Sequence, residues 1–264
     1  MVEYRIQARN RQLIANSRLP TTISIPLPVR SPLLGEESPA LLGNIVITRK
    51  ICMMNTTRRA ELRAIAEAFF HGIHGCHGLD HTLRVVDNAL CLAQHYPTAD
   101  ADLLEAAAWL HDIGRGVERE AGVSHAILSA QLAEERLPAL GFSPEETQII
   151  CTAIADHRYS SGRTPSSMEG KLLQDADRLD ALGAIGIART FTNGSDRDLY
   201  HANDPFARQR PPNDNRYNLD HFFIKLLRLP ETMHTPEARA QGELRVQFMR
   251  DFLNHFAAEV GVEA

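Results

Sequence analysis

The 264-residue sequence lacks the features that mark membrane proteins, disulfide-stabilised secreted proteins and nucleic-acid-binding proteins. It contains no run of about 18 apolar residues, so no membrane-spanning helix is predicted. Its four cysteines are widely spaced without a CxxC pair, which argues against a disulfide framework or a thiolate metal site. The net charge of −5 is too small to indicate a dedicated nucleic-acid partner. These absences favour a protein of the reducing cytoplasm without a membrane partner.

Residues 1–53 differ in composition from the remainder of the chain. Apolar runs are interrupted by Pro20, Pro26, Pro28, Pro32 and Pro39, which leaves only short extended pieces such as Ile45–Ile47. Residues 1–60 contain nine Lys+Arg and three Asp+Glu, a net +6, so the other 204 residues carry −11. We predict an N-terminal extension over residues 1–53, flexible or preceding a true start at Met53 or Met54, and one domain over residues 54–264.

From Thr56 onward, apolar residues recur at the three- and four-residue spacing of α-helices. Predicted helices begin at Thr57, run from Leu79 to near Tyr96 and from about Asp102 to Ile113, begin at Ser124 and Ser143, follow Gly170, and cover Leu219–Leu229 and Pro236–Val260. Gly114 and Gly116 are predicted to stop the third helix, and Ser195–Asn215 to form a long loop. No alternating pattern indicates a sheet, so the predicted fold class is all-α.

Four polar residues lie on three of these predicted helices. His81 is near the start of the second helix, His111 and Asp112 end the third, and Asp177 lies in Gln174-Asp-Ala-Asp-Arg-Leu-Asp. Imidazole and carboxylate ligands together suit divalent metal ions. The apolar run before His111 predicts burial, and burying unpaired polar groups is costly unless a metal or a hydrogen bond satisfies them.

The order His…His-Asp…Asp, with each part on its own predicted helix, resembles the HD-domain superfamily of metal-dependent phosphohydrolases. The resemblance runs from Met54 to Ala264, and the motifs around Gln174–Arg189, Asp204-Pro-Phe and Lys225-Leu-Leu resemble one bacterial subfamily of largely uncharacterised HD hydrolases. It implies a helical HD bundle that holds one divalent ion (Mn, Co, Fe, Ni, Zn or Mg). The implied ligands are His81, His111, Asp112 and Asp177, and the implied substrate is a nucleotide or a similar small phosphorylated metabolite.

Two further histidines lie between the HD pair and the final aspartate. His125 and His157 are candidates for binding a second ion or a substrate phosphate, and hydrogen bonding within the cleft is the competing interpretation. The double-His motif typical of the two-metal branch is absent.

The resulting hypothesis is attack on phosphorus by a metal-activated water. Asp112 is the candidate proton acceptor, and Glu118, just past the HD turn, is the alternative general acid or base. A solvated loop carboxylate is the competing interpretation of Glu118.

Phosphate recognition is predicted for four cations, because guanidinium and ammonium groups match phosphate oxygens. These are Arg84, Arg115, Lys171 and Arg178. The competing interpretation is local ion pairing, for example Asp80 with Arg84. In the loop, Arg208, Arg210 and Arg216 are candidates to fold over a nucleotide, with Lys225 supporting the same face.

Two other functions fit the same pattern. A few helical HD proteins hold two irons and cleave carbon bonds with oxygen, which requires a complete two-metal ligand set. A non-catalytic nucleotide-sensing module is the third interpretation, although such degenerate proteins usually lose a ligand. Neither the substrate nor the oligomeric state follows from the sequence.

Overall fold

The helical periodicity of the sequence is realised as a bundle around one central helix. The computed structural model describes residues 54–72 and 75–262, and within them it contains α-helices, short 3₁₀ turns and no β-strand. The α-helices are α1 Thr56–Phe70, α2 Leu79–Ala93, α3 Ala101–Leu110, α4 Arg115–Ala121, α5 His125–Glu134, α6 Pro144–Asp156, α7 Met168–Asp180, α8 Gly183–Asn193, α9 Asp220–Ile224 and α10 Pro236–Glu259. The all-α prediction is confirmed, whereas the predictions for residues 1–53 lie outside the described residues.

Helix α3 is central because nearly all of its side chains are apolar. Every residue from Leu103 to Leu110 is buried, and the helix packs against α1, α2, α6 and α7. Each fully buried leucine, such as Leu104 or Leu110, contributes about 1.5–3 kcal/mol to stability. The polar residues that follow Leu110 therefore emerge in the middle of the bundle.

Two helices begin where the sequence provides a capping serine. Ser143 and Glu146 form the predicted capping box at the start of α6, with Pro144 in the first turn. Helix α7 begins at Met168, earlier than predicted, because the Ser167 side chain accepts a hydrogen bond from the Gly170 backbone N–H. None of the described helices is long and apolar enough to cross a membrane.

Three further predictions about the extent of the helices are wrong. The third helix ends at Leu110, and after a turn at His111–Gly114 the chain forms the unpredicted α4, which contains Gly116. The segment after Gly170 forms two helices, because Gly183 adopts φ +72° and turns the chain between α7 and α8. The helix predicted over Leu219–Leu229 is interrupted at Lys225, where φ is −131° and ψ is −60°.

The predicted loop Ser195–Asn215 contains no helix, as expected. Arg210 anchors it through two hydrogen bonds to Asp220, at 2.5 and 2.7 Å. An isolated backbone bridge between Asp198 and Tyr217 joins its two ends.

Candidate metal centre

The turn after α3 lies against the start of α5. A Cβ at Gly114 would lie 2.7 Å from the Ser129 backbone nitrogen and 2.8 Å from the His125 carbonyl oxygen, so only glycine allows this approach. The Gly114 N–H also donates to the Ser129 side chain at 2.9 Å. Because of this contact, His125 at the first position of α5 faces Asp112 of the turn.

Four buried histidines share one arrangement around Asp112. In each, Nδ1 is bonded to another group of the protein, while Nε2 faces a carboxylate oxygen of Asp112. The Nδ1 partners are Asp180 for His81 (2.7 Å), the Ala108 carbonyl for His111 (2.8 Å), Glu118 for His125 (3.0 Å) and the Ile154 carbonyl for His157 (2.6 Å). Since each Nδ1 is held by its partner, the four Nε2 atoms are left facing the Asp112 carboxylate.

Helix ends provide two of these Nδ1 partners. His111 follows the last residue of α3 and His157 follows the last residue of α6. Each ring bonds a carbonyl of the preceding last helical turn, where the carbonyl groups lack the N–H partner that a continuing α-helix would provide. The same local geometry thus orients both rings.

The two oxygens of Asp112 face different histidines. Oδ2 lies 3.7 Å from Nε2 of both His81 and His111, whereas Oδ1 lies 3.3 Å from His125 Nε2 and 3.4 Å from His157 Nε2. Oδ1 of Asp112 and Nε2 of His125 are buried without a hydrogen-bond partner. Such buried unmatched polar atoms are costly and fit a ligand role toward a cation.

Asp177 completes the first group of candidate ligands. Its Oδ1 lies 3.3 Å from His81 Nε2, and its side chain is about a quarter exposed, unlike that of Asp112. Ligand atoms of His81, His111 and Asp177 lie within 4.8 Å of one another, as do those of His111, Asp112 and His157. The structure therefore brings together all four predicted ligands and both additional histidines.

Electrostatics keeps both candidate ligand carboxylates, Asp112 and Asp177, charged. Burial opposes ionisation of Asp112, but His111, His157 and Arg115 hold its pKa well below the usual value. The same balance, dominated by His81, holds the pKa of Asp177 well below its usual value. Burial lowers the pKa of His111 to about 4, which favours the neutral form that a metal requires.

Asp180, which was not assigned a role from the sequence, holds His81 in place. Besides His81 it accepts hydrogen bonds from Arg84 Nε at 2.5 Å and from Arg189 Nη1. Arg189 also bonds the His77 ring at 3.2 Å, and His77 lies 3.7 Å from Asp112. Asp180 follows Asp177 by one helical turn, which was the only sequence signal for its position.

Glu118 is bound by its neighbours. Oε1 accepts from the His125 backbone N–H at 3.1 Å, from its ring at 3.0 Å and from Arg158 at 2.8 Å. These contacts hold the pKa of Glu118 below its usual value, although partial burial acts in the opposite direction. The carboxylate is thus placed to orient His125.

A cavity of about 230 Å³ opens beside the ligands and is lined by five cations. These are Arg115, Arg158, Arg178, Arg189 and Lys225, with Tyr159 and Leu229 among the other lining residues. A larger groove of about 710 Å³ lies between α5 and α6 and is lined by none of the candidate ligands. The small cavity therefore adjoins the candidate metal centre and has a lining rich in cations, which favours an anionic ligand.

Two predicted phosphate-binding residues do not line this cavity. Arg84 is bound to Asp180 and, at 3.0 Å, to Asp80, as the ion-pairing interpretation predicted. Lys171 lies in the first turn of α7, away from the lining. The loop residues Arg208, Arg210 and Arg216 do not line it either, whereas Arg115 and Arg178 do.

The sequence and the structure were compared with those of known proteins. The HD domain family matches residues 78–182, which extend from the start of α2 to just past α7. The uncharacterised protein YpgQ of Bacillus subtilis is 33% identical over 219 residues, or 80% of this chain and 98% of YpgQ. Ribonuclease Y of Clostridium tetani is 28% identical over 163 residues, which are 56% of this chain but 29% of that enzyme.

Solved structures agree with these matches. The crystal structure of YpgQ in complex with ADP has a TM-score of 0.60 and 29% identity, and the match covers 77% of this chain and 95% of that one. An HD-superfamily hydrolase of Bacillus thuringiensis has a TM-score of 0.61 and 31% identity, covering 78% of this chain and 98% of that one. Both matches exceed three quarters of the present chain.

Proposed function

This chain belongs to the HD domain family, and from that premise we propose that it is a divalent-metal-dependent phosphohydrolase acting on a nucleotide or a similar small phosphorylated metabolite. One observation carries the proposal: a buried aspartate ringed by four oriented histidines adjoins a cavity lined by five cations. The ADP complex of YpgQ supports a nucleotide ligand.

The proposed ligands are His81, His111, Asp112 and Asp177. A bound divalent ion would supply a water of lowered pKa and polarise a phosphoryl oxygen. Asp112 remains ionised and is the proposed proton acceptor. Arg115, held 2.5 Å from Asp112, is the proposed donor to the charge that develops on phosphate oxygens.

A second ion is proposed beside the first. Its proposed ligand atoms are Asp112 Oδ1 and the two Nε2 atoms that face it, at 3.3 Å for His125 and 3.4 Å for His157. The two unmatched atoms of the centre, Asp112 Oδ1 and His125 Nε2, both belong to this group. Glu118 would act as the residue that positions His125, in place of the acid–base role predicted for it.

The test is hydrolysis by metal-stripped full-length protein. Nucleoside mono-, di- and triphosphates and a short RNA would be offered, with Mn, Co, Mg, Ni or Zn restored singly. We expect release of phosphate or pyrophosphate from a nucleotide only when metal is present. No hydrolysis with any metal, together with two bound irons per chain and oxygen consumption, would instead establish the oxygenase alternative. Cleavage of the short RNA would indicate activity of the ribonuclease type.

Metal affinity is expected to fall on acidification. Although burial acts to lower it, hydrogen bonds to Asp177 and Asp180 raise the pKa of His81 above 6.5. A metal must therefore displace a proton that persists to higher pH than on an ordinary histidine. Below the raised pKa, affinity should drop by up to about tenfold per pH unit for one displaced proton.

Calorimetric titration with Mn in buffers of different ionisation enthalpy measures this proton release directly. About one proton per ion is the expected stoichiometry at a pH below the raised pKa of His81, and it should fall toward zero above that pKa. An affinity that stays constant between about pH 6 and 8 would show that His81 binds no competing proton.

A further inference from the structure

Two cations of the cavity have no carboxylate partner among the described residues. Arg115, Arg158 and Arg189 pair with Asp112, Glu118 and Asp180 respectively. By contrast, no carboxylate oxygen of residues 54–72 and 75–262 lies within 4.0 Å of the charged nitrogens of Arg178 or Lys225. These two side chains are therefore the cations of the cavity that no described carboxylate pairs with directly.

Arg178 is deeply buried and incompletely bonded. Its residue is 7% exposed, Nη1 donates to the Thr232 carbonyl, and Nε is buried with no hydrogen-bond partner. A buried N–H of a charged group is unfavourable unless a ligand accepts from it. Arg178 lines the cavity, so its guanidinium group can donate to an anionic oxygen there.

Tyr159 holds both cations without neutralising them. Lys225 Nζ lies 4.8 Å from the centre of its ring, and Arg178 Cζ lies 5.5 Å from the same point. An aromatic face attracts a cation but carries no net charge, so the full charge stays available to a ligand. The break between α9 and the following 3₁₀ turn gives Lys225 its place at the cavity.

We propose that Lys225 and Arg178, held by Tyr159, form a subsite for a phosphate group other than the one attacked at the metal centre. The proposal rests on the phosphohydrolase function proposed above. Asp177 lines the same cavity as the two cations, so a substrate bound at the metal centre shares this cavity with the subsite. The subsite distinguishes substrates with two or more linked phosphates from monophosphates.

The experiment measures binding of inorganic pyrophosphate and of orthophosphate to the metal-loaded full chain by calorimetry. Lys225→Gln should weaken pyrophosphate binding about tenfold to a hundredfold, the range for a hydrogen bond to a charged group, and orthophosphate binding by less than about twofold. Tyr159→Leu should weaken pyrophosphate binding in the same direction. Arg228→Gln is the matched control, because Arg228 lies three residues beyond Lys225 but is 71% exposed and pairs with Glu231.

Equal weakening for the two anions, or no change for pyrophosphate, would overturn the subsite. With nucleotides, Lys225→Gln should raise KM for di- and triphosphates more than for monophosphates, and Lys225→Arg should restore part of the difference. If the intact protein hydrolyses nothing with any metal, the proposed function fails, whereas the pyrophosphate comparison still measures the subsite.

Discussion

Replacing Asp112 by alanine is expected to abolish metal-dependent hydrolysis. Asp112 is the only described carboxylate whose two oxygens face separate pairs of histidines, so its loss removes a ligand from both candidate ions. Turnover should fall on the order of a thousandfold or more, because the activated water depends on the bound metal. Steady-state hydrolysis and the metal content of the purified protein, measured together, check this expectation.

Two further variants are measured beside Asp112→Ala: Asp112→Asn, which removes only the charge, and Asp251→Ala, which is the control. Asparagine keeps the shape of the side chain but removes the charge, so it should still lower metal content and turnover sharply. Asp251 is an exposed carboxylate on α10 and is not a candidate ligand. Its removal should change neither the metal content nor the turnover. If Asp112→Ala retained its metal and hydrolysed within about tenfold of the native rate, the assignment of the metal centre would be wrong.

The helices could be predicted because their causes are local. The buried run of α3 and the capping box of Ser143 and Glu146 lie within a few residues of the elements they specify. Glycine was a less reliable signal for helix boundaries than the apolar run and the capping box. Gly116 lies inside α4, whereas Gly183 does separate two helices, and the difference depends on backbone angles that residue type alone does not determine.

The site was predictable in part for the same reason. His111 and Asp112 follow an apolar run at the end of a helix, which marks them as polar groups carried into the core, and the ligand role of these two residues and of His81 and Asp177 stays a prediction. Arg84 shows the limit of such reasoning. Its position one turn after His81 suggested a phosphate contact, but Asp180, 96 residues away in the chain, binds its guanidinium.

Contacts between distant segments decide the remaining roles. The Lys225 ammonium lies over the ring of Tyr159, and Arg189 meets His77 across 112 residues of sequence. No spacing rule links such positions, because the helices that carry them pack together only in the folded chain. The charge available for a substrate therefore became evident only when each cation could be matched with its carboxylate.

Asp180→Asn is expected to weaken metal binding about tenfold to a hundredfold, the usual effect of losing a group that orients a metal-binding histidine. In the native protein two carboxylate oxygens serve His81, Arg84 and Arg189. Asparagine offers only one side-chain oxygen to these three donors. The hydrogen bond that His81 Nδ1–H donates is therefore weakened. The ring is then free to place its proton on Nε2, the atom that must bind the metal.

The readout must separate orientation of His81 from general loss of structure. Nitrogen NMR of the His81 ring in the metal-free protein reports which nitrogen carries the proton, and calorimetry with Mn gives the affinity. Asp80→Asn is the matched control, because Asp80 also pairs with Arg84 but is 65% exposed and does not contact His81. Normal metal affinity in Asp180→Asn combined with a lowered melting temperature would mean that Asp180 only stabilises the fold. Weakened affinity with an altered His81 tautomer and near-native melting would instead establish that the Arg84–Asp180–Arg189 contacts orient the ligand.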